Sequence, residues 1–594
     1  MHKHSKFYFM KKSLFVLFAL AASAQFLYAD VVVDGIKYSI NTTTHKATVV
    51  KGQDAGLTRV IIPESFKYES DVYAVTSIAE EALRGSSITF LSVPASVTSV
   101  GDNAFGACAN LDTVMWNAID CNNFSNYQYA PFYHYMMMNA KVKKMFFGPN
   151  VHHVPAYLCY NMNQVDTVVL PASVQTIGND AFRGCSNLKV AILPEELTNL
   201  GSQAFSGCSK LDSVNTLGKL TIIPSNAFNS CYKLMKIMIP DGVTSIGDNA
   251  FYQTGLKKII IPNTVATMGD APFGSCGSLD SVVWNAVSCT MSTAINASPF
   301  YDASYISVKS FTFGDAVEVI PQNLCYEMSL LDTIIIPATV TSIGQSAFNG
   351  CTGFKEVVLP EGLASLASSA FNGCTNLKKI NLPSGLTTIP AQTFYNCPID
   401  SIIIPEGVAT IGKNAFSKTA LTTVTIPSTV TSLGDAPFDG CAALDSVVWK
   451  AVNTTSSSAT NTWPFYNCSA LRVIVFEKGV TNIPNMACWG ASSLAKIYNY
   501  SKTPQTIYAN VFTNVNKTTC ELHVPADGLE EYKAADVWKD FFDNGKLIND
   551  LPADQPTAVE DAMGENNSAT KILRNGQVVI IRDHKQYNVL GAEL

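Results

Sequence analysis

With 594 residues, 47 % of them apolar and 15 % charged, the chain has ample material for a continuous core and little for a long disordered region. Its formal net charge of −7 is scattered, and no Lys/Arg cluster of the kind that neutralises phosphates occurs in the body, so nucleic acid is excluded as an expected partner. Composition is even over 76–523, which reads as one extended repeating body rather than a string of unlike domains.

Residues 1–29 read as an export signal: Lys11 and Lys12, an apolar run from Leu14 to Ala22, and small residues before candidate cleavage points after Ala24 or Ala29. No later segment approaches the ~20 apolar residues of a spanning helix, so no transmembrane segment is expected in the mature chain. Within 30–75, the stretch VVVDGIKYSINTTTHKATVV alternates like a β-hairpin and is expected to cap the N-terminal side of the repeating body.

Over 76–523 the chain repeats. Ala-Phe pairs, with Thr393-Phe394 in the same place, put phenylalanines at 105, 182, 205, 228, 251, 348, 371, 394 and 416, many of them about 23 residues apart, and a fixed period of that size predicts a solenoid. One unit, LKVAILPEELTNLGSQAFSGC, runs from Leu188 to Cys208. Leu188, Ala191 and Leu193 face inward and Val190 and Ile192 outward, as a short strand requires, and Pro194 ends it because proline cannot donate to a ladder. Leu197 and Leu200 turn back beneath the strand, and Ala204-Phe205 opens a short helical or 3₁₀ turn whose ring plugs the interior. One unit alone cannot bury these residues, whereas stacked copies bury a continuous row of Leu, Ile and Phe.

This pattern resembles the leucine-rich repeats of the BspA-like family of bacterial surface proteins, the Treponema pallidum type of repeat. Matching stretches are Asp166 to Val174, VTSIGDNAF ending at Phe251 and VTSIGQSAFNGC ending at Cys351. The resemblance implies a repeat solenoid of α/β type and β-rich overall: a right-handed coil with a parallel sheet face and short helical or 3₁₀ return limbs. It also implies a non-enzymatic binding scaffold, secreted or displayed on a bacterial cell surface, whose partners are host matrix proteins, cell-surface proteins or other cells.

A larger repeat lies over the small one. GDNAFGACANLDTVMWNA, GDAPFGSCGSLDSVVWNA and GDAPFDGCAALDSVVWKA begin at residues 101, 269 and 434, each succeeded by a longer loop ending at Phe132, Phe300 or Phe465. At the far end, 524–548 reads as a cap helix offering Tyr532, Trp538 and Phe541, 549–569 as a polar linker, and 570–594 as a small β tail. That tail resembles the C-terminal tails of exported Bacteroidetes proteins.

Sixteen cysteines in an exported chain suggest disulfides, yet ten of them stand three residues after the plug phenylalanine or its equivalent. One slot repeated at the stacking period makes a row of small buried thiols, which is the preferred reading. Trp116, Trp284 and Trp449 recur where other units carry an inward Ile or Leu and are read as larger plugs. No zinc spacing, nucleophile elbow, P-loop or acidic calcium loop occurs, so neither catalysis nor a cofactor is expected.

Two features point to binding. The outward strand slot holds Met115, Val169, Ile192, Met238, Ile260, Val283, Ile335, Val358, Ile403, Val448 and Val475, broken by Asn215, Asn381 and Thr425, and contiguous exposed apolar surface marks contact sites. Three polar loops, 118–130, 286–298 and 451–463, carry Tyr127, Tyr129, Asn296 and Trp463 on a rigid frame. Two alternatives to an adhesin-like scaffold stay open: a self-associating cell-envelope or biofilm matrix protein, and a glycan-binding module using the loop aromatics.

Overall fold

A computed structural model describes residues 28–53, 56–133, 141–291, 298–301, 307–456 and 463–551, together with the backbone of three strands between 570 and 587. Most of the export signal and residues 552–569 of the expected linker lie outside the described residues. The chain separates into two compact units, Met1–Asn376 and Leu377–Leu594.

The first unit opens with more than a hairpin. Strands Tyr28–Val33, Ile36–Asn41 and Lys46–Val49 form an antiparallel meander, and Lys46–Val49 then pairs in parallel with Asp71–Ile78. Asp71–Ile78 in turn pairs with Ser99–Val100, so the cap's hydrogen bonds pass directly into the first coil.

Most coils beyond the cap are built from two short strands and a turn. The first strand carries the alternating residues: Thr167–Val169 pairs in parallel with Val190–Ile192, which pairs with Ser213–Val214. The second lies under the proline, where Thr176–Ile177 pairs with Asn199–Leu200. Between the second strand and the next first strand runs the turn that the spacing predicts to be helical.

The chain instead takes left-handed φ twice per coil in that turn, at Gln203 (φ 58°) and Gly207 (φ 74°) in the unit Leu188 to Cys208. A left-handed residue reverses the carbonyl direction, so the turn amides point along the stack. Phe182 N donates to Ala204 O at 2.8 Å and Phe205 N to Ala227 O at 2.9 Å, a ladder between coils rather than a helix within one. This accounts for the Asn, Asp, Gln and Gly that flank many of the Ala-Phe pairs, since these residues tolerate positive φ, though Ser346 and Ser369 take the same place in two coils. Gly201 has a different reason: a Cβ there would collide with the backbone of Gly178 and Asn179 in the preceding coil.

The core lies inside the coils. Phe182, Phe205, Phe228, Phe251 and Phe273 are fully enclosed and stack face to face, with centroids 5.2–5.5 Å apart and planes within 9°. Offset stacked rings of this kind add to the burial of each ring, which is itself worth about 1.5–3 kcal/mol. Trp116, Trp284 and Trp449 are wholly buried, as plugs should be.

All sixteen cysteines are free and buried. Their slot has a second reason beyond size: Cys208, Cys231 and Cys374 each donate S–H to the carbonyl of a plug phenylalanine one coil back, at 3.2 Å. Where threonine takes the slot, Thr419 Oγ1 donates to Phe416 O at 2.9 Å.

The second unit repeats this plan and ends differently. Strands Thr423–Ile426, Ser446–Trp449, Val473–Phe476, Lys496–Asn499, Glu521–Pro525 and Leu547–Leu551 form one six-stranded sheet. Between the last two strands, short helices Leu529–Ala534 and Lys539–Asp543 place Tyr532, Trp538 and Phe541 over the last coil, all three fully buried. Trp538 Nε1 donates to Gln505 O at 2.8 Å, which satisfies the buried indole. Strands Thr570–Arg574, Gln577–Arg582 and Lys585–Tyr587 form a small antiparallel meander in the tail.

Candidate interaction surface

The outward strand slot is set by alternation, but its exposure varies from coil to coil and is greatest where the first-strand ladder is interrupted. In the first unit, Val169, Ile192 and Ile260 stand about half exposed on paired strands, while Val283 is half-buried. Met238 and Ile335 reach 74 % and 85 % exposure. Both belong to coils that form no first strand: the ladder is interrupted over 235–239 and again over 333–336. Val358 is likewise well exposed. In the second unit Ile403, also in a coil without a first strand, is 75 % exposed.

Two members of the slot are not on the surface. Val448 and Val475 are only 2 % and 0 % exposed. They stand in register with each other and with Tyr498 and His523, whose rings stack at 4.5 Å, so this stretch of the row is closed over by packing.

Asn215, read as a break in the apolar row, has a structural task. Its carboxamide accepts from Leu193 N at 2.7 Å and donates to Leu193 O at 2.9 Å, replacing the backbone pair that the next strand residue would have made. Sequence reading also missed two outward residues of the first unit, Ile61 and Phe146, both well exposed on paired strands. Their coils lack the Ala-Phe landmark, and only the local alternation in KMFF and RVI could have revealed them.

Across the first unit's strand face lies a groove of about 1470 Å³, floored by Val214, Met235, Ile237, Met238 and Ile260. It sits on the interruption at 235–239, where the normally enclosed side chains of Val214 and Ile237 become half-exposed.

The first loop, 118–130, is tied down rather than freely displayed. Asn126 caps a 3₁₀ turn at Tyr127–Tyr129, accepting from Gln128 N at 2.9 Å. Tyr127 stacks on Tyr160 at 5.3 Å and meets Tyr133 edge-on at 5.5 Å, leaving Tyr127 and Tyr129 partly exposed. Asn123 accepts from Ala156 N at 2.8 Å and lies 2.7 Å from His153 Nε2, pinning the base of the same loop. Burial, opposed by the Asp120 carboxylate, holds the His153 imidazole below its usual range. Asn296 of the second loop lies outside the described residues. In the third, Trp463 donates through Nε1 to Met486 Sδ and packs against Tyr466 at 5.6 Å and Trp489 at 6.5 Å.

Burial pushes the Cys121, Cys289 and Cys520 thiols up to about 12. Among the described residues no group of three or more His, Cys, Asp or Glu is placed to hold a metal ion. No helix among them is long and apolar enough to cross a membrane.

Short parallel strands, proline stops and an interior row of leucine, isoleucine and phenylalanine define a leucine-rich-repeat solenoid. The model of the BspA type leucine rich repeat region matches in six copies, over residues 57–146, 152–280, 293–419 and 387–519, and the chain belongs to that family. No curated protein matches the chain significantly. Among solved structures, a leucine-rich repeat protein from Bacteroides ovatus is 23 % identical, the match covering 71 % of this chain and 94 % of that one, with a TM-score of 0.43. A leucine rich cell surface protein from Faecalibacterium prausnitzii is 22 % identical over 75 % of this chain and 94 % of its own, with a TM-score of 0.28. The leucine rich repeat protein of T. pallidum is 18 % identical over 42 % of this chain and 91 % of its own, with a TM-score of 0.26. Membership in this family makes the chain a repeat scaffold suited to protein interaction.

Proposed function

We propose that the protein is an exported, adhesin-like scaffold that engages proteins of a host matrix or of neighbouring cells through the outward slot of its strands. The observation that carries this reading is the exposure of Met238, Ile260 and Ile335 on a grooved strand face, since contiguous apolar surface at water costs free energy unless a partner covers it. The full chain on its native cells is expected to be removed by protease shaving, and the purified chain to bind immobilised extracellular-matrix proteins. Charged substitution of Ile260, Ile335 and Ile403 together should lower that binding at least about tenfold. Binding unchanged by the triple substitution, or a chain untouched by shaving, overturns the proposal.

A second reading, glycan binding, is favoured by the clustering of Trp463, Tyr466 and Trp489, because aromatic faces stack on sugar rings. A glycan array probed with the native chain and with Trp463→Ala separates the two: signal lost in the variant supports it, and a blank array refutes it.

A further inference from the structure

We infer that the turn edge of the coils carries three equivalent aromatic platforms, one after each long loop, that hold a neutral polysaccharide of β-linked pyranose units. This inference deepens the glycan reading of the Trp463 cluster and rests on it.

The platforms share one slot of the repeat, the residue after the plug. Ladder bonds mark that slot: Asn161 N donates to Arg183 O at 2.7 Å, Glu327 N to Asn349 O at 2.7 Å and Gly490 N to Thr513 O at 3.0 Å. Tyr160, Tyr326 and Trp489 therefore stand where the next coils hold Arg183, Asn349 and Thr513. In the coil before each, the long loop ends in Pro-Phe-Tyr with the phenylalanine stacked as a plug, which puts Tyr133, Tyr301 and Tyr466 in the same slot. Single tyrosines fill it at 252 and 395, but among the described residues two successive coils carry aromatics there only after the long loops. All six side chains are half-buried or exposed, so filling the interior does not explain them.

The rings close on one another. Tyr127, from the first loop, stacks on Tyr160 at 5.3 Å and meets Tyr133 edge-on at 5.5 Å. Trp463, from the third, packs on Tyr466 at 5.6 Å and on Trp489 at 6.5 Å. Rings packed in this way present faces and leave no gap between them. A flat apolar face suits the axial C–H bonds of an equatorially substituted pyranose, whereas a proline-rich helix needs a slot between rings.

A carboxylate stands beside each platform. Asp180 accepts from the Arg183 guanidinium at 3.0 Å, and that guanidinium lies 6.0 Å over the Tyr160 ring. Glu327 follows Tyr326 in the chain, and Asp439, one coil before Tyr466, accepts from Asn467 at 3.0 Å. Carboxylates accept from sugar hydroxyls and repel uronate or sulfate groups, which selects a neutral chain.

Spacing selects a polymer. The first two platforms belong to the first unit and lie about seven coils apart, roughly 34 Å at the spacing of stacked strands. A long chain reaches both, so its second contact forms at high effective concentration, while a trisaccharide covers one.

The test runs the full chain in native gels cast with hydroxyethyl cellulose, with galactomannan, or with carboxymethyl cellulose, the acidic counterpart of the first. Retardation is expected in at least one neutral gel and at least about tenfold weaker in the acidic one. Cellotriose, followed by tryptophan fluorescence, should bind at least about tenfold more weakly than the polymer that retards the chain. Tyr133→Ala with Tyr160→Ala, and Tyr301→Ala with Tyr326→Ala, should each lower retardation while the thermal midpoint is kept. Tyr133→Phe, Tyr160→Phe, Tyr301→Phe and Tyr326→Phe together keep the ring faces and should leave it unchanged. The polymer and cellotriose measurements use the wild-type chain and do not depend on any variant folding. Retardation lost in Trp463→Ala with Trp489→Ala but indifferent to the tyrosine pairs leaves the glycan reading intact and overturns the three-platform inference. No retardation in either neutral gel overturns it, as does equal retardation in carboxymethyl cellulose, or binding of a decaproline peptide where the polymers fail.

Discussion

The outward slot holds Met238 and Ile335 in the first unit and Val448 and Val475 in the second, residues of one chemical type in one position of the repeat. The first pair is among the most exposed apolar residues of the molecule and the second is wholly enclosed. Pairing accompanies the difference without being enough for it, since Val169, Ile192 and Ile260 stay about half exposed on paired strands. Met238 and Ile335 sit in coils whose strand ladder is interrupted, whereas Val448 and Val475 lie within an unbroken six-stranded sheet, in register with the stacked rings of Tyr498 and His523. A slot in a repeat thus fixes direction, and the neighbouring coils fix environment.

The sharpest way to break this contrast is to put the same charge at both kinds of site. Val475→Asp strands a carboxylate in the core and should cost about 3–5 kcal/mol, read as a fall in the midpoint of denaturant unfolding. Retention of wild-type stability would mean that Val475 is open to water. Phe228→Ala removes a ring stacked at 5.5 Å on both neighbours and should cost about 3–5 kcal/mol by the same measurement. A loss below about 1 kcal/mol would show that the row tolerates gaps. Asn215→Leu deletes both hydrogen bonds to Leu193 and should cost about 1–3 kcal/mol, because the carboxamide stands in for a strand.

A weaker, pH-dependent effect probes buried thiols outside the repeated slot. Cys121, Cys289 and Cys520 are neutral when folded, with thiols raised by burial from 9.0 to about 12. A raised acid contributes stability that is fully present below the unfolded value and lost as pH climbs toward the folded one, so thermal stability should decline between about pH 9 and 12. Titration should find all sixteen thiols in denaturant under non-reducing conditions and almost none reacting in the native chain at pH 8. Substantially fewer in denaturant would mean disulfides. The smallest effect is expected for Ile335→Asp, within about 0.5 kcal/mol of wild type, since its side chain already faces water.

Much of the fold was legible in the sequence. The plug phenylalanines, the thiol row, the buried tryptophans and the terminal caps follow from spacing and alternation, because each inward residue is dictated by its own few neighbours in the chain. The turn was less legible: Gln203 and Gly207 could be read as helix-compatible and as turn residues alike, and only their left-handed φ reveals a ladder between coils. The aromatic clusters at the loops were half legible. Tyr127 and Trp463 were found in aromatic clusters, but Tyr133, Tyr160, Tyr466 and Trp489, which complete them, come from slots that carry no motif of their own.

By itself, then, the sequence determined the coil: where each strand begins, where proline ends it, and which side chains fill its interior, since these depend on contacts within one period or with identical copies. Tertiary structure alone decided which coils pair along the strand face. That choice depends on the match between adjacent, non-identical coils, such as Asn215 closing one ladder on Leu193, and it separates the open groove around Met238 from the enclosed valines at 448 and 475.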